Sequence, residues 1–229
     1  RRLRIITELK YQALQSQMSP HFIFNAMNSI SFLVKNKKSK EADKYLNKFA
    51  GLLRGVLENA QYSFITLLEE MELVQNYLEL EQLQFGDQLK IYIDMDPELM
   101  AYDLQVPPML IQPILENAIR HGISPRGHGN LTVNFKDQGD FLKVVIEDDG
   151  VGRKHAEELK KQSITHKSRT QVGINNIYER NSVLNNLYAL DMKMEIKDLY
   201  EGDKPGGTCV KFSFPKIKYL PEIDKSLFR

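Results

Sequence analysis

Three groups of residues in this chain have the types and spacings that chemistry asks for. The first is His21 with Asn25 and Asn28, which fall on one side of a helix at about 100° per residue. A neutral imidazole nitrogen is a good nucleophile near pH 7, and an amide one turn away can orient it. The second is Glu116-Asn117 with Arg120-His121-Gly122. It gathers a carboxylate, an amide, a guanidinium and an imidazole within two helical turns. The third is Asp148-Asp149-Gly150-Val151-Gly152, two carboxylates followed closely by two glycines that permit tight backbone turns. Taken singly, each has an ordinary explanation: a solvated histidine, the wet side of an amphipathic helix, and a turn after a strand.

The chain that positions these groups has 229 residues, enough for two units that each bury a core. Hydrophobic residues make up 42% and charged residues 27%, the balance of a folded globular protein. Lys+Arg of 31 against Asp+Glu of 30 leaves a net charge of +1, so no global field attracts nucleic acid, and none is expected as a direct partner. The single cysteine, Cys209, excludes an internal disulfide and a multi-cysteine metal site, and is expected as a small buried strand residue. No stretch reaches the roughly 18 to 20 apolar residues of a membrane helix. The opening Arg1-Arg2-Leu3-Arg4 is the kind of basic cluster found just inside a membrane anchor, so any membrane attachment is expected through an upstream segment.

From about Leu3 to Val34 the spacing predicts helix, interrupted only by Pro20, where the missing N–H should kink or loosen the chain just before His21. Ile23, Ala26, Met27, Ile30, Leu33 and Val34 form an apolar stripe centred opposite His21. After the turn at 35–40, a second helix repeats Tyr45, Phe49, Leu52, Leu53, Val56 and Leu57. A two-helix hairpin cannot bury such a stripe alone, so pairing with a second copy into a four-helix bundle is the economical solution. Thr66 with Glu69 is a capping box opening a third helix to about Phe85, stopped by Gly86-Asp87. Leu89 to Met95 alternates as a strand, Met109 to His121 returns to helical spacing, and Leu131 to Phe135 and Phe141 to Glu147 read as a hairpin across 137–140. A polar segment from Gly150 to Gln171 precedes a helix over 174–187 and strands over 193–199 and 208–214. The fold class is α+β, with a helical hairpin at residues 1–62, an α/β sandwich with helices on one face of a mixed sheet at 63–215, and a tail at 216–229.

The order of the three groups carries more than any one of them. The stretch Leu14-Gln-Ser-Gln-Met-Ser-Pro-His21-Phe-Ile-Phe-Asn25-Ala-Met-Asn28-Ser-Ile30 resembles the phosphoacceptor segment of the LytS-type sensor histidine kinases. Pro107-Pro108-Met109-Leu-Ile-Gln112-Pro113-Ile-Leu-Glu116-Asn117-Ala-Ile-Arg120-His121-Gly122 resembles the N box of the same family, Asp148 to Gly152 its first glycine box, and Gly206-Gly207-Thr208 its closing strand motif. The resemblance covers about residues 10 to 215. It implies a dimeric helical hairpin followed by a Bergerat-type ATP-binding sandwich, the fold shared with gyrase, MutL and heat-shock chaperone ATPases. It also implies autophosphorylation of His21 from Mg-ATP, then transfer to an aspartate in the receiver domain of a response regulator with a LytTR-type DNA-binding output. By the same resemblance Asn117 holds Mg²⁺, Arg120 and His121 approach the phosphates, and Asp148 accepts a hydrogen bond from the adenine amino group. Gly150 and Gly152 then pass close to the base, and Thr208 supports the contact from a neighbouring strand. The chain is expected to be the cytoplasmic portion of an inner-membrane protein.

Several positions depart from the pattern. Many histidine kinases carry an acidic residue directly after the phosphoacceptor, but here Phe22 stands there, which leaves Asn25 as an orienting group and Glu116 as a base. The second glycine box is reduced to Gly173, expected to open the next helix and offer free N–H groups to phosphate, with Lys167 and Arg169 compensating. Bergerat ATPases have a water-activating Glu four residues before the metal-binding Asn, where this chain has Pro113, which disfavours a hydrolase. The alternative is a degenerate dimeric scaffold that binds nucleotide without kinase activity.

Overall fold

The computed structural model describes residues 20–60, 62–101, 103–156, 170–202 and 204–217. Two helices, α1 (Pro20–Lys35) and α2 (Ser39–Asn59), form the hairpin. Buried residues of α2 recur as Ala42, Tyr45, Phe49, Leu52 and Val56, the alternating three- and four-residue steps of one helical face. Pro20 is the first described residue of α1, and the chain before it, where the kink is expected, lies outside the described residues.

Helix α1 is two-faced, which the single stripe read from the sequence did not anticipate. Phe22 and Ala26 are buried, and the Phe22 ring lies 5.9 Å from Phe49 of α2 and 5.4 Å from Tyr77 of the third helix. Ile30 and Leu33 pack at the edge of this core. Ile23, Met27 and Val34 are exposed, as is Leu57 of α2. Phe22 decides the phase: burying an aromatic ring removes more apolar surface from water than burying Met27 or Val34, so the helix rotates to put it inside.

Strand β1 (Ile65–Thr66) leads into α3 (Leu67–Phe85) through the expected capping box: Thr66 Oγ1 accepts from the Glu69 N–H at 3.2 Å, and Glu69 Oε2 accepts from the Thr66 N–H at 2.7 Å. Gly86, at φ +59°, ends α3. Strand β2 (Leu89–Met95) follows, then β3 (Gln105–Val106), which pairs antiparallel with β1. Helix α4 (Gln112–Asn117) passes directly into a π-helical segment, Ala118–Ile123. The helix expected from Met109 therefore starts three residues later, since Met109 is at φ +57° and cannot sit in a right-handed turn.

Strands β4 (Gly129–Gln138) and β5 (Phe141–Asp148) make the expected hairpin, closed by Gly139 at φ +68°. Helix α5 (Thr170–Tyr188) precedes a second hairpin of β6 (Lys193–Glu201) and β7 (Lys204–Pro215). The five-stranded sheet has the order β2-β4-β5-β7-β6, with only the β2–β4 pair parallel. Strict alternation sends Leu131, Val133 and Phe135 of β4, Leu142, Val144 and Ile146 of β5, and Val210, Phe212 and Phe214 of β7 to one buried face. The π-helical segment packs on β4, β5 and β7, α3 on β2, and α4 against α5, giving the α+β sandwich read from the sequence. Cys209 is buried in β7. Beyond the boundary read at 215, Lys216 N–H bonds to the Asp140 carbonyl at 2.8 Å and the Ile217 carbonyl accepts from Gln105 at 3.0 Å, so the ordered unit runs two residues further. No helix among the described residues is long and apolar enough to cross a membrane.

Candidate functional site

Asp148 is an anomaly of alternation. It is in phase with Leu142, Val144 and Ile146, so the strand turns its carboxylate into the helical layer, where it is 4% exposed. It accepts from the Gly150 N–H at 3.0 Å and from the Thr208 backbone, and makes no ion pair among the described residues. Burial in this apolar setting pushes its pKa up to about 7, with the neighbouring Asp149 charge adding to the effect.

Glycines close round this carboxylate. A Cβ on Gly122 would meet Asp148 Oδ1 at 2.5 Å, one on Gly150 would meet the Gly122 carbonyl carbon at 2.1 Å, and one on Gly207 would meet the Asp148 carbonyl oxygen at 1.8 Å. The Val151 N–H bonds to the Gly122 carbonyl at 3.0 Å, which ties the end of the π-helical segment to the strand exit. Gly152 turns the chain away at φ +74°. Asp149 has a different role: its carboxylate takes the Asn130 N–H at 2.7 Å and Nδ2 at 2.6 Å, while Arg126 holds its carbonyl at 2.7 Å. These bonds lock the loop so that Asp148 stays fixed.

Asn117, Arg120 and His121 leave the same short helix, half-buried, and the change to π geometry at Ala118 sets how they project. Single π turns inside α-helices occur often at functional sites because they re-aim side chains at a local cost in hydrogen bonding. Arg120 reaches across to the hairpin. With the Asn25 amide oriented oxygen-inward, the orientation its hydrogen bonding requires, Asn25 accepts from both terminal guanidinium nitrogens, Nη2 at 2.9 Å. Glu116, one turn back, pairs with Arg120 Nε at 3.2 Å, and Glu81 of α3 lies 3.8 Å from Nη2.

The structure thus brings together Asn25, Glu116 and Arg120, and separately Asp148, Gly150, Gly152 and Thr208 with the end of the N-box segment. His21 stands one helical turn before Asn25. Asn25 is turned inward, whereas the sequence put it on the wet side with Asn28, which is exposed. Arg120, expected at phosphates, is engaged by the hairpin. Lys167 and Arg169 lie outside the described residues, and Gly173 falls inside α5, which is described from Thr170, so it does not open that helix.

Four further residues belong to this architecture. Glu70 of α3, 1% exposed, accepts from the Met109 N–H at 2.8 Å and the Ile111 N–H at 3.4 Å; burial pushes its pKa up to about 7. Arg180 of α5 donates to the carbonyls of Met109, at 3.1 Å, and Pro108. Glu81 is raised by burial, partly offset by Arg120, and the buried Tyr77 phenol beside it is raised well above its usual value by the same desolvation. The signal for the two glutamates was present: at about 100° per residue Glu70 and Glu81 fall in phase with Leu67, Val74, Tyr77 and Leu78, the buried stripe of α3.

A buried carboxylate closed round by glycines thus stands beside a short helix that grips a second helix, the one on which His21 lies. Residues 9–89 match the histidine kinase family model. The chain is 32% identical over 215 residues, 93% of its length, to the sensor protein LytS of Oceanobacillus iheyensis, and 30% identical over 76% of its length to the sensor histidine kinase YpdA of Escherichia coli. Among solved structures, the catalytic domain of histidine kinase ThkA matches 68% of this chain and 97% of that one at 16% identity and a TM-score of 0.44, a likeness too loose to add to the sequence evidence. The chain belongs to the LytS-type sensor histidine kinases. It spans 35% of the length of the Oceanobacillus relative and 30% of that of YpdA.

Proposed function

We propose that this chain is the transmitter portion of a sensor histidine kinase, which phosphorylates His21 and passes the phosphoryl group to an aspartate of a response regulator. Mg-ATP supplies the phosphoryl group. Asp148 takes the adenine amino group: it is a buried acceptor that makes no ion pair among the described residues, and glycines let the strand exit and the π-helical segment close tightly round it. Thr208 contributes its backbone N–H to holding that carboxylate. Asn117 supplies one amide oxygen to Mg²⁺, and His121 stands beside it towards the phosphates. Asn25 orients His21 and Glu116 is the proton acceptor. Transfer of this kind rests on positioning and charge neutralisation, which suits a site with few reactive groups.

The observation that carries the reading is the contact between Asn25 and Arg120, which joins the phosphoacceptor helix to the N-box helix. The molecule works as a homodimer. Ile23, Met27, Ile30 and Val34 on α1, and Leu46, Ala50, Leu53 and Leu57 on α2, repeat at steps of four, three and four, the seam of a four-helix bundle. Of these, Met27 is 56% and Leu57 72% exposed in the single chain. The hairpin lies on the cytoplasmic side of a membrane, and the receiver partner carries a LytTR-type output.

The test is labelling with γ-labelled ATP. The wild type takes up acid-labile phosphate, and His21→Ala loses it while still binding nucleotide. Label that persists in His21→Ala refutes the assignment, and a wild type that never labels favours a nucleotide-binding scaffold.

A further inference from the structure

We propose that Glu81 is a positioning residue for phosphorylation of His21, acting through Arg120 on Asn25; this rests on the function proposed above. Glu81 is 4% exposed and sits in the apolar stripe of α3, where a leucine would serve packing equally well. An ionisable group is expensive to bury, and it persists in such a place where a partner requires it. Its partner is Arg120, with Nη2 3.8 Å from the Glu81 carboxylate.

Arg120 is where three elements meet. Glu116 holds it from its own helix, Asn25 from α1 and Glu81 from α3. A guanidinium has five N–H donors in a fixed plane, so it can serve all three acceptors, but only in one orientation. The pair to Glu116 is local and moves with the helix. The Glu81 contact is what refers Arg120 to the rest of the fold, because α3 is packed on the sheet through β2 and on the hairpin through Tyr77. Tyr45 of α2, bonded to Ser29 of α1, lies in the same buried polar cluster and feels the charges of Glu81 and Arg120. The Glu81 carboxylate beside it aims the guanidinium at Asn25, and Asn25 lies one helical turn after His21 on α1.

Glu81→Gln keeps the shape and removes the charge. It is expected to lower the single-turnover rate of His21 phosphorylation at saturating ATP by about tenfold, the scale of a small misplacement of a positioning group. The ATP concentration for half-maximal rate and the affinity for a non-hydrolysable ATP analogue stay within twofold, since Glu81 touches no part of the cradle. Arg120→Ala lowers the rate at least as much, and adding Glu81→Gln to it costs nothing further. A role confined to stability would shift melting temperature and leave the rate of the folded fraction alone. Should Glu81→Gln fail to fold, Glu81→Asp, which keeps the charge but withdraws it by one methylene, carries the same test. A wild type that does not label refutes the proposed function itself. A wild type that labels, with Glu81→Gln equally fast or with effects that add to those of Arg120→Ala, overturns the role of Glu81 alone.

Discussion

On the proposed assignment of Asp148 to the adenine amino group, its raised pKa makes nucleoside binding depend on pH in a definite direction. Its carboxyl titrates at about 7 against an ordinary 3.8, because burial penalises the charged form. That displacement corresponds to about 4 kcal/mol needed to keep the buried carboxyl ionised. A ligand that donates an N–H to the carboxylate binds the ionised form, so affinity rises as pH rises through 7. The group is about nine-tenths ionised at pH 8, one-tenth at pH 6 and one-hundredth at pH 5, so affinity falls about tenfold and then about a hundredfold. Adenosine is the probe, because it has no phosphates whose own titration would mix in, and equilibrium dialysis at fixed ionic strength is the measurement. Asp148→Asn, neutral throughout, binds weakly and without this slope. Stability moves the other way: a carboxylate whose folded pKa is raised binds more protons folded than unfolded, so stability present below about pH 4 is lost as pH rises to about 7. Wild-type affinity that is flat from pH 5 to 8, or that improves towards acid, would refute the assignment of Asp148 as the acceptor.

Gly150→Ala drives a Cβ into the Gly122 backbone at 2.1 Å, so it should abolish measurable adenosine binding and lower stability by roughly 1–3 kcal/mol, seen as a drop of several degrees in thermal melting. A fully binding Gly150→Ala protein would show that the cradle does not hold the base. Leu57→Glu puts a charge on the proposed seam at a residue that is 72% exposed and so contributes little to the single chain's core. It should give monomers by light scattering at concentrations where the wild type is dimeric, with an unchanged melting profile for the sandwich; dimers that persist would move the interface elsewhere.

Much of the sandwich was legible because strands and caps announce themselves locally. Leu131 to Phe135 alternates apolar and polar, Phe141 to Glu147 is a β-branched, apolar-rich run set off by a turn, and Thr66 with Glu69 closed its capping box as written. Asp148 was legible as a motif residue, but its place on the apolar face at the end of β5 was not, because the strand is read to stop at Glu147. The hairpin was harder. Counting apolar residues on α1 merges two faces, because periodicity states which residues share a side but not which side meets which partner. Phe22, treated as a missing acid, is the core residue that sets the rotation of the helix. Asn25 was read as wet because nothing local says that an arginine 95 positions later (120 − 25) reaches it. The start of α4 was misjudged because apolar spacing through Met109 hides a backbone turn that only its positive φ reveals.

The two buried glutamates of α3 explain why that helix is more than a link between hairpin and sandwich. Glu81, near its C-terminal end, engages Arg120, and Glu70, in its first turn, holds the N–H groups of Met109 and Ile111. Eleven residues separate them (81 − 70), about 16 Å along the axis at 1.5 Å per residue. One rigid element therefore grips the N-box segment near both its entry and its end. At the entry, Met109 is held at φ +57°, a conformation that costs a non-glycine residue of order 1 kcal/mol and persists only where its surroundings dictate it. Glu70 below and Arg180 above supply that constraint, one taking the N–H groups and the other the carbonyls. Arg180 belongs to α5, the helix that follows residues 157–169, so the chain on either side of the cradle is referenced to the same loop. On the hairpin side, Phe22 lies against Tyr77 on the same α3. A displacement of α1 must then either break the Phe22–Tyr77 and Asn25–Arg120 contacts together or carry α3 with it. In the second case Glu70 moves too, and the loop that sets the start of α4 moves with it.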